Sequence, residues 1–214
     1  MTIDLACADE LLSTTRAVRK RLDLTRPVPR EVILDCIRIS QQAPTGSNSQ
    51  TWRWIVVTDP AKKKALADIY REVSAAYFVE AGGRAKASGA AQTSRVFDSA
   101  TYMADHMHEA PVLVIPCMMG RPMEGSIAAS AGFFASIYPA VWNFNLALRA
   151  RGLGAVLTTM HLVREKDAAA VLGIPDDVTQ TALLPVGYTI GDTFRPADRP
   201  PPETITAFDQ WSLT

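Results

Sequence analysis

Between Arg30 and Gln42, the residues Val32, Ile33, Cys36, Ile37 and Ile39 recur at the spacing of one helical face. Pro29 stands beside the first turn, where its missing donor costs least, so the pattern predicts an amphipathic helix ending near Ala43. Trp54 to Thr58 (WIVVT) is rich in β-favouring residues and reads as a strand. Asp59 and Pro60 then supply an N-cap and a first-turn proline for the helical stretch AKKKALADIYREVSAAY. From Phe78 to His108 the periodicity weakens around Gly82 and Gly83, which predicts broken helices with a mobile connection. The apolar run APVLVIPCM, Ala110 to Met118, has the length of a strand buried on both faces, although periodicity alone leaves a helix open.

Ala128 to Ala150 is apolar on almost every helical face, the pattern of a helix enclosed by a core or a partner, and Pro139 predicts a kink in it. Gly152, following Arg149 and Arg151, suits a left-handed helix cap, and GAVLTT then reads as a strand. A short helix from Glu165 to Leu172 stops at Gly173 before Pro175, and Thr181 to Thr189 (TALLPVGYT) is another strand. The proline-rich tail after Gly191 is expected to lie extended over another surface. Alternation of this kind favours a three-layer α/β or α+β sandwich.

The chain of 214 residues, with 48% apolar positions, can bury a sizeable core as one domain. Its 22 basic and 22 acidic residues cancel, so no overall field draws it to nucleic acid or an anionic membrane, and charge-driven binding has to be local. No segment offers the roughly 18 apolar residues of a membrane span, and MTIDLACADELL lacks the basic and apolar regions of a secretory leader, so a cytoplasmic location is the expectation. Three widely spaced cysteines predict reduced thiols, with Cys36 and Cys117 in core-like runs.

No G-x-G-x-x-G turn and no P-loop follows any strand, so a nucleotide-like ligand needs another phosphate site. TTRAVRKR, Thr14 to Arg21, gathers Arg16, Arg19, Lys20 and Arg21, either as a local anion site or as a solvated basic turn. APTGSNSQTWRW, Ala43 to Trp54, sets small, backbone-exposing residues directly before a strand. His106 and His108 sit two apart with Glu109 beside them, a spacing a loop metal site can use, but no further ligand accompanies them; a solvated or capping role is the simpler reading.

Taken together, TTRAVRKR, APTGSNSQTWRW, RGLGAVLTTMH and LLPVGYTIGD followed by an arginine-containing proline-rich tail resemble, in order and spacing, the nitroreductase family of FMN-dependent flavoproteins over nearly the whole chain. The resemblance implies an α+β three-layer sandwich, with a central mixed sheet flanked by helices, in an intertwined homodimer with two FMN sites at its interface. It implies one FMN-binding domain spanning residues 1–214, with an extended arm from about residue 191. Arg16 and Arg19 would bind the FMN phosphate, with Ala17 where the family often has serine, and Arg195 and Arg199 would bring further charge from the tail. Pro44, Thr45, Gly46, Ser47 and Asn48 of one subunit would approach the flavin held mainly by the other. Thr51 stands where many members have proline. Leu157, Thr158 and Thr159 would lie along the ring, and His161 next to them could contact substrate or make a structural hydrogen bond.

The implied activity is ping-pong transfer from NADH or NADPH, through FMN, to an electron-poor small molecule such as a nitroaromatic or quinone, with no protein nucleophile, catalytic side chain or metal. The alternative is a protein that stores or senses FMN without turnover. The segment 77–108 is expected to cover the pocket, with Phe78, Phe97, Tyr102 and Met103 either lining it or packing the cover down.

Overall fold

The computed structural model describes residues 3–213. It divides into two compact units. The smaller combines the segments Met1–Thr15 and Thr193–Thr214 and holds helix α1 (Leu5–Thr14), whose N-cap Asp4 accepts from the Cys7 amide, and the proline-rich tail with one short turn at Pro202–Thr204. The larger, Arg16–Asp192, holds every strand and the other helices.

In the larger unit, β1 (Leu22–Asp23) leads to α2 (Arg30–Ser40), then β2 (Trp52–Val57), α3 (Pro60–Ala87) and α4 (Ala91–His106). There follow β3 (Val112–Met119), α5 (Ile127–Ala135), α6 (Tyr138–Arg149), β4 (Leu153–Ala155), α7 (Glu165–Leu172), β5 (Val178–Gln180) and β6 (Leu184–Thr189). The strands form one sheet in the order β1-β6-β3-β2, with β4 on β6 and β5 on β3. Every ladder is antiparallel, and an isolated parallel bridge joins Gly120 to Val178.

Strand β3 explains the layering. Val112 and Val114 point into a cluster with Ile33 and Cys36 of α2 and Val141, Phe144 and Leu148 of α6. Leu113, Ile115 and Cys117 alternate to the opposite face and are fully buried as well, so helices have to cover the sheet on both sides. Helix α3 buries Leu66, Ala67 and Tyr70 and has α4 packed along it. Burial also settles the thiols: Cys36 and Cys117 are free, and removal from water pushes them up to about 11 and about 12, leaving them protonated and unreactive. No described helix is long and apolar enough to cross a membrane.

Two breaks fall elsewhere than the sequence pattern places them. Helix α3 runs through Gly82 and Gly83 without interruption and ends at Ala87; the connection to α4 is only Ser88–Ala90. Gly82 is a packing residue, because a Cβ there would stand 3.3 Å from Phe97 of α4, and its absence lets the two helices close together. The long apolar helix is two helices. Pro139 sits in the first turn of α6, where proline costs nothing, and Ser136 and Ile137 separate α6 from α5. TALLPVGYT likewise divides, with Thr181 bonded through both its amide and its hydroxyl to the Pro116 carbonyl before β6 begins.

One close approach fixes the first residues of the larger unit. The Val18 amide donates to the Ala155 carbonyl at 2.9 Å, laying residues 16–19 across β4 as a strap. Gly154 permits it, since a Cβ there would lie 2.8 Å from Val18 Cγ2 and 3.0 Å from Thr189 Cγ2. Gly154→Ala is therefore expected to destabilise the protein by about 1–3 kcal/mol through overpacking, measured by urea unfolding, with much of the loss recovered in Gly154→Ala/Val18→Ala.

Candidate functional site

The strap carries three of the residues singled out above. Arg16 and Ala17 are exposed, Val18 is buried against β4, and Arg19 turns back half-buried, its carbonyl accepting from the Leu22 amide. Leu157, Thr158 and Thr159 follow β4 directly. Thr158 is pinned by reciprocal backbone hydrogen bonds with Leu183, at 3.0 and 2.8 Å, while Leu157 and Thr159 on either side of it are exposed. Sequence positions about 140 apart are thus brought to one place by the strap and the β4–β6 pairing.

Side chains from the α3–α4 pair complete this place. Tyr70 of α3 is 4% exposed, and its hydroxyl lies 3.3 Å from Thr158 Oγ1. Arg19 Nη1 reaches Ser99 Oγ of α4 at 3.4 Å, a long contact, and no carboxylate lies within ion-pair distance of Arg19 among the described residues. Burial lowers the Arg19 pKa from its ordinary value, with Tyr70 acting in the opposite sense. Burial likewise raises the Tyr70 phenol, against the Thr158 hydrogen bond and the Arg19 charge. A desolvated guanidinium with no counter-charge and a ring of hydroxyls is suited to receive an anion. The sequence held no sign of Tyr70 or Ser99, which look like ordinary helix residues until α3 and α4 are packed.

Pro44, Thr45, Gly46, Ser47 and Asn48 form a second, separate feature. The Gly46 amide donates to Ser136 Oγ at 3.0 Å, Ser136 Oγ donates to the Gly132 carbonyl, and the Trp52 indole donates to the Ser136 carbonyl. The α5–α6 junction thereby fixes the loop. Ser47, Asn48 and Gln50 adopt left-handed φ angles of 53°, 53° and 50°. Such backbone conformations cost on the order of 1 kcal/mol each in non-glycine residues and gather at ligand sites. Asn48 Oδ1 accepts from Gln50 Nε2 at 3.0 Å, and no described hydrogen bond joins this loop to the strap. Arg195 and Arg199 are exposed residues of the smaller unit, with Arg199 Nη1 donating to the Asp198 carbonyl.

Of the residues expected over the pocket, Phe78 and Met103 are buried packing residues, and Tyr77, Phe78 and Phe97 form an aromatic cluster between α3 and α4. Tyr102 stacks on His106 at 4.3 Å, and His106 pairs with Glu109 at 2.8 Å. His161 is fully buried, and neither ring nitrogen has a hydrogen-bond partner among the described residues. Beyond it, Glu165 holds Arg121 in a bidentate pair, at 2.7 and 2.8 Å, and accepts from the Gln180 amide.

The family profile described as "Nitroreductase family" matches residues 12–188. Iodotyrosine deiodinase 1 of Rattus norvegicus is 28% identical over 181 residues, 84% of this chain, which spans 61% of that longer protein. NADH dehydrogenase of Thermus thermophilus is 26% identical over 212 residues, covering 91% of this chain and 95% of its own. Among solved structures, oxidized iodotyrosine deiodinase bound to FMN and 3-iodo-L-tyrosine superposes with a TM-score of 0.68 at 21% identity, over 94% of this chain and 98% of that one, a likeness of fold.

Burial pulls the His161 imidazole down to about 4, against the raising effect of Glu165. Because the unfolded chain takes up this proton first, near pH 6.5, folding stability falls as the pH drops from about 6.5 towards about 4, by at most about 1.4 kcal/mol per pH unit. Urea unfolding at stepped pH should show this slope, and His161→Phe should flatten it; a flat profile between pH 6.5 and 5 in the unsubstituted protein contradicts the assignment.

Proposed function

Because this chain belongs to the nitroreductase family, we propose that it is an FMN-dependent oxidoreductase that takes reducing equivalents from NADH or NADPH and passes them to an electron-poor small molecule. The observation that carries the reading is that Arg19 reaches Ser99 of α4 while Thr158 reaches Tyr70 of the adjoining α3, which brings a cation with no ion-pair partner among the described residues to the same helix pair as a polar strand end. The residues present fit such a cofactor. Arg16 and Arg19 supply positive charge for a phosphate, with Arg195 and Arg199 of the tail as further contributors. Ala17, Leu157, Thr158 and Thr159 offer a small-residue edge along which a planar ring can lie. When bound, FMN supplies hydride chemistry at N5 between the nicotinamide and the acceptor. The chain's own residues hold, orient and desolvate it, and no side chain here is required as nucleophile or metal ligand.

The site is completed by a second copy of the chain. None of the residues of α5, IAASAGFFA, is buried, and Ile127 is 90% exposed. An apolar helix left bare in this way calls for a covering surface. Ser136 fastens Pro44–Asn48 to the end of that same helix, so a partner covering α5 also receives the loop. The relatives carry the different names NADH dehydrogenase and iodotyrosine deiodinase, so the acceptor is left open by them.

The visible spectrum of the purified protein tests the reading. A flavin spectrum that bleaches with NADH or NADPH and recovers on anaerobic addition of a quinone is expected. Flavin without bleaching points to storage or sensing, and no flavin after reconstitution with FMN sinks the proposal. Removing two charged contacts in Arg16→Ala/Arg199→Ala is expected to weaken FMN binding by about 100-fold or more; unchanged occupancy removes the phosphate assignment.

A further inference from the structure

Two hydroxyls joined by one hydrogen bond use one proton between them. Thr158 Oγ1 and the Tyr70 hydroxyl form such a pair at 3.3 Å, and the pair's second proton has no acceptor among the described hydrogen bonds. Tyr70 is 4% exposed, with its ring packed 6.3 Å from that of Phe78, so the side chain is held in place. A buried donor without an acceptor is costly, and its usual explanation is a partner that arrives with a ligand.

A second donor stands on the strap. Arg19, half-buried, has only the long contact to Ser99 Oγ, whose own proton goes to the Val96 carbonyl at 2.8 Å. Arg19 thus reaches α4 while Thr158 reaches α3, and these two helices pack along each other.

We propose that Tyr70 is a cofactor-binding residue of this site, its hydroxyl donating to an oxygen of bound FMN that Arg19 also contacts; the proposal rests on the FMN reading given above. The recognised chemistry is an electron-rich oxygen, which FMN presents both on its phosphate and on the pyrimidine edge of its ring.

The test compares the unsubstituted protein with Tyr70→Phe, which keeps the ring and its packing. FMN and riboflavin are each titrated into the apoprotein by flavin fluorescence, and the melting temperature is recorded with and without saturating ligand. A fall in FMN affinity of about 10- to 100-fold is expected for a hydrogen bond to a charged acceptor, together with a smaller gain in melting temperature on binding FMN. If riboflavin affinity is unchanged, the oxygen is on the phosphate; if both affinities fall in parallel, it is on the ring. Equal affinities for both ligands in the two proteins overturn the proposal. So does a lower apoprotein melting temperature with an undiminished gain on binding FMN, which marks Tyr70 as structural. Failure of the unsubstituted protein to bind either flavin is a different result, since it removes the FMN reading on which the proposal stands.

Discussion

The contact between residue 18 and residue 154 is the constraint on which the site depends. Without a side chain at Gly154, the backbone of the strap comes close enough for Val18 to donate to Ala155, and that single register decides where Arg16, Ala17 and Arg19 stand. The same β4 backbone leads into Thr158, locked to Leu183 on its far side. The two candidate segments are therefore set against each other by backbone hydrogen bonds rather than by side-chain contacts, an arrangement that tolerates changes in the exposed residues it presents.

The opposite wall is made differently. Helix α3, 28 residues long, continues through its paired glycines, and α4 packs into the space that Gly82 leaves. This fixes Tyr70 and Ser99 relative to the strap although neither belongs to it. Arg19 is held among these groups without a counter-charge, at a cost in desolvation that an apolar residue of similar size would avoid.

Much of the fold was legible because local signals and tertiary structure agree. The Ile33–Cys36–Ile37 face, the Asp59–Pro60 start, the apolar run of β3 and the Gly173 stop all appear where the pattern puts them. The departures share a cause: Gly82 and Pro139 were read for their local conformational meaning, whereas their positions are set by a neighbouring helix and by a helix start. The two-residue β1 and the helix α1 carry too little periodicity to be read at all. For the site, the strap and the β4 end were visible as motifs, and their meeting at the α3–α4 pair was not, because a buried tyrosine has no local signature until the helices and a strand end are packed together.

The loop at residues 47–50 bears on how this scaffold can diversify. With Ser47, Asn48 and Gln50 all in left-handed backbone conformations, side chains branched at Cβ are sterically excluded from these positions. Small polar residues and glycine are almost the whole vocabulary available there. Variation in descendants of this sequence thus falls more readily on the α3–α4 hairpin, where helical backbone accepts nearly any side chain, while the loop keeps its shape, its amides at Gly46, Asn48, Ser49 and Gln50 already spent on internal hydrogen bonds.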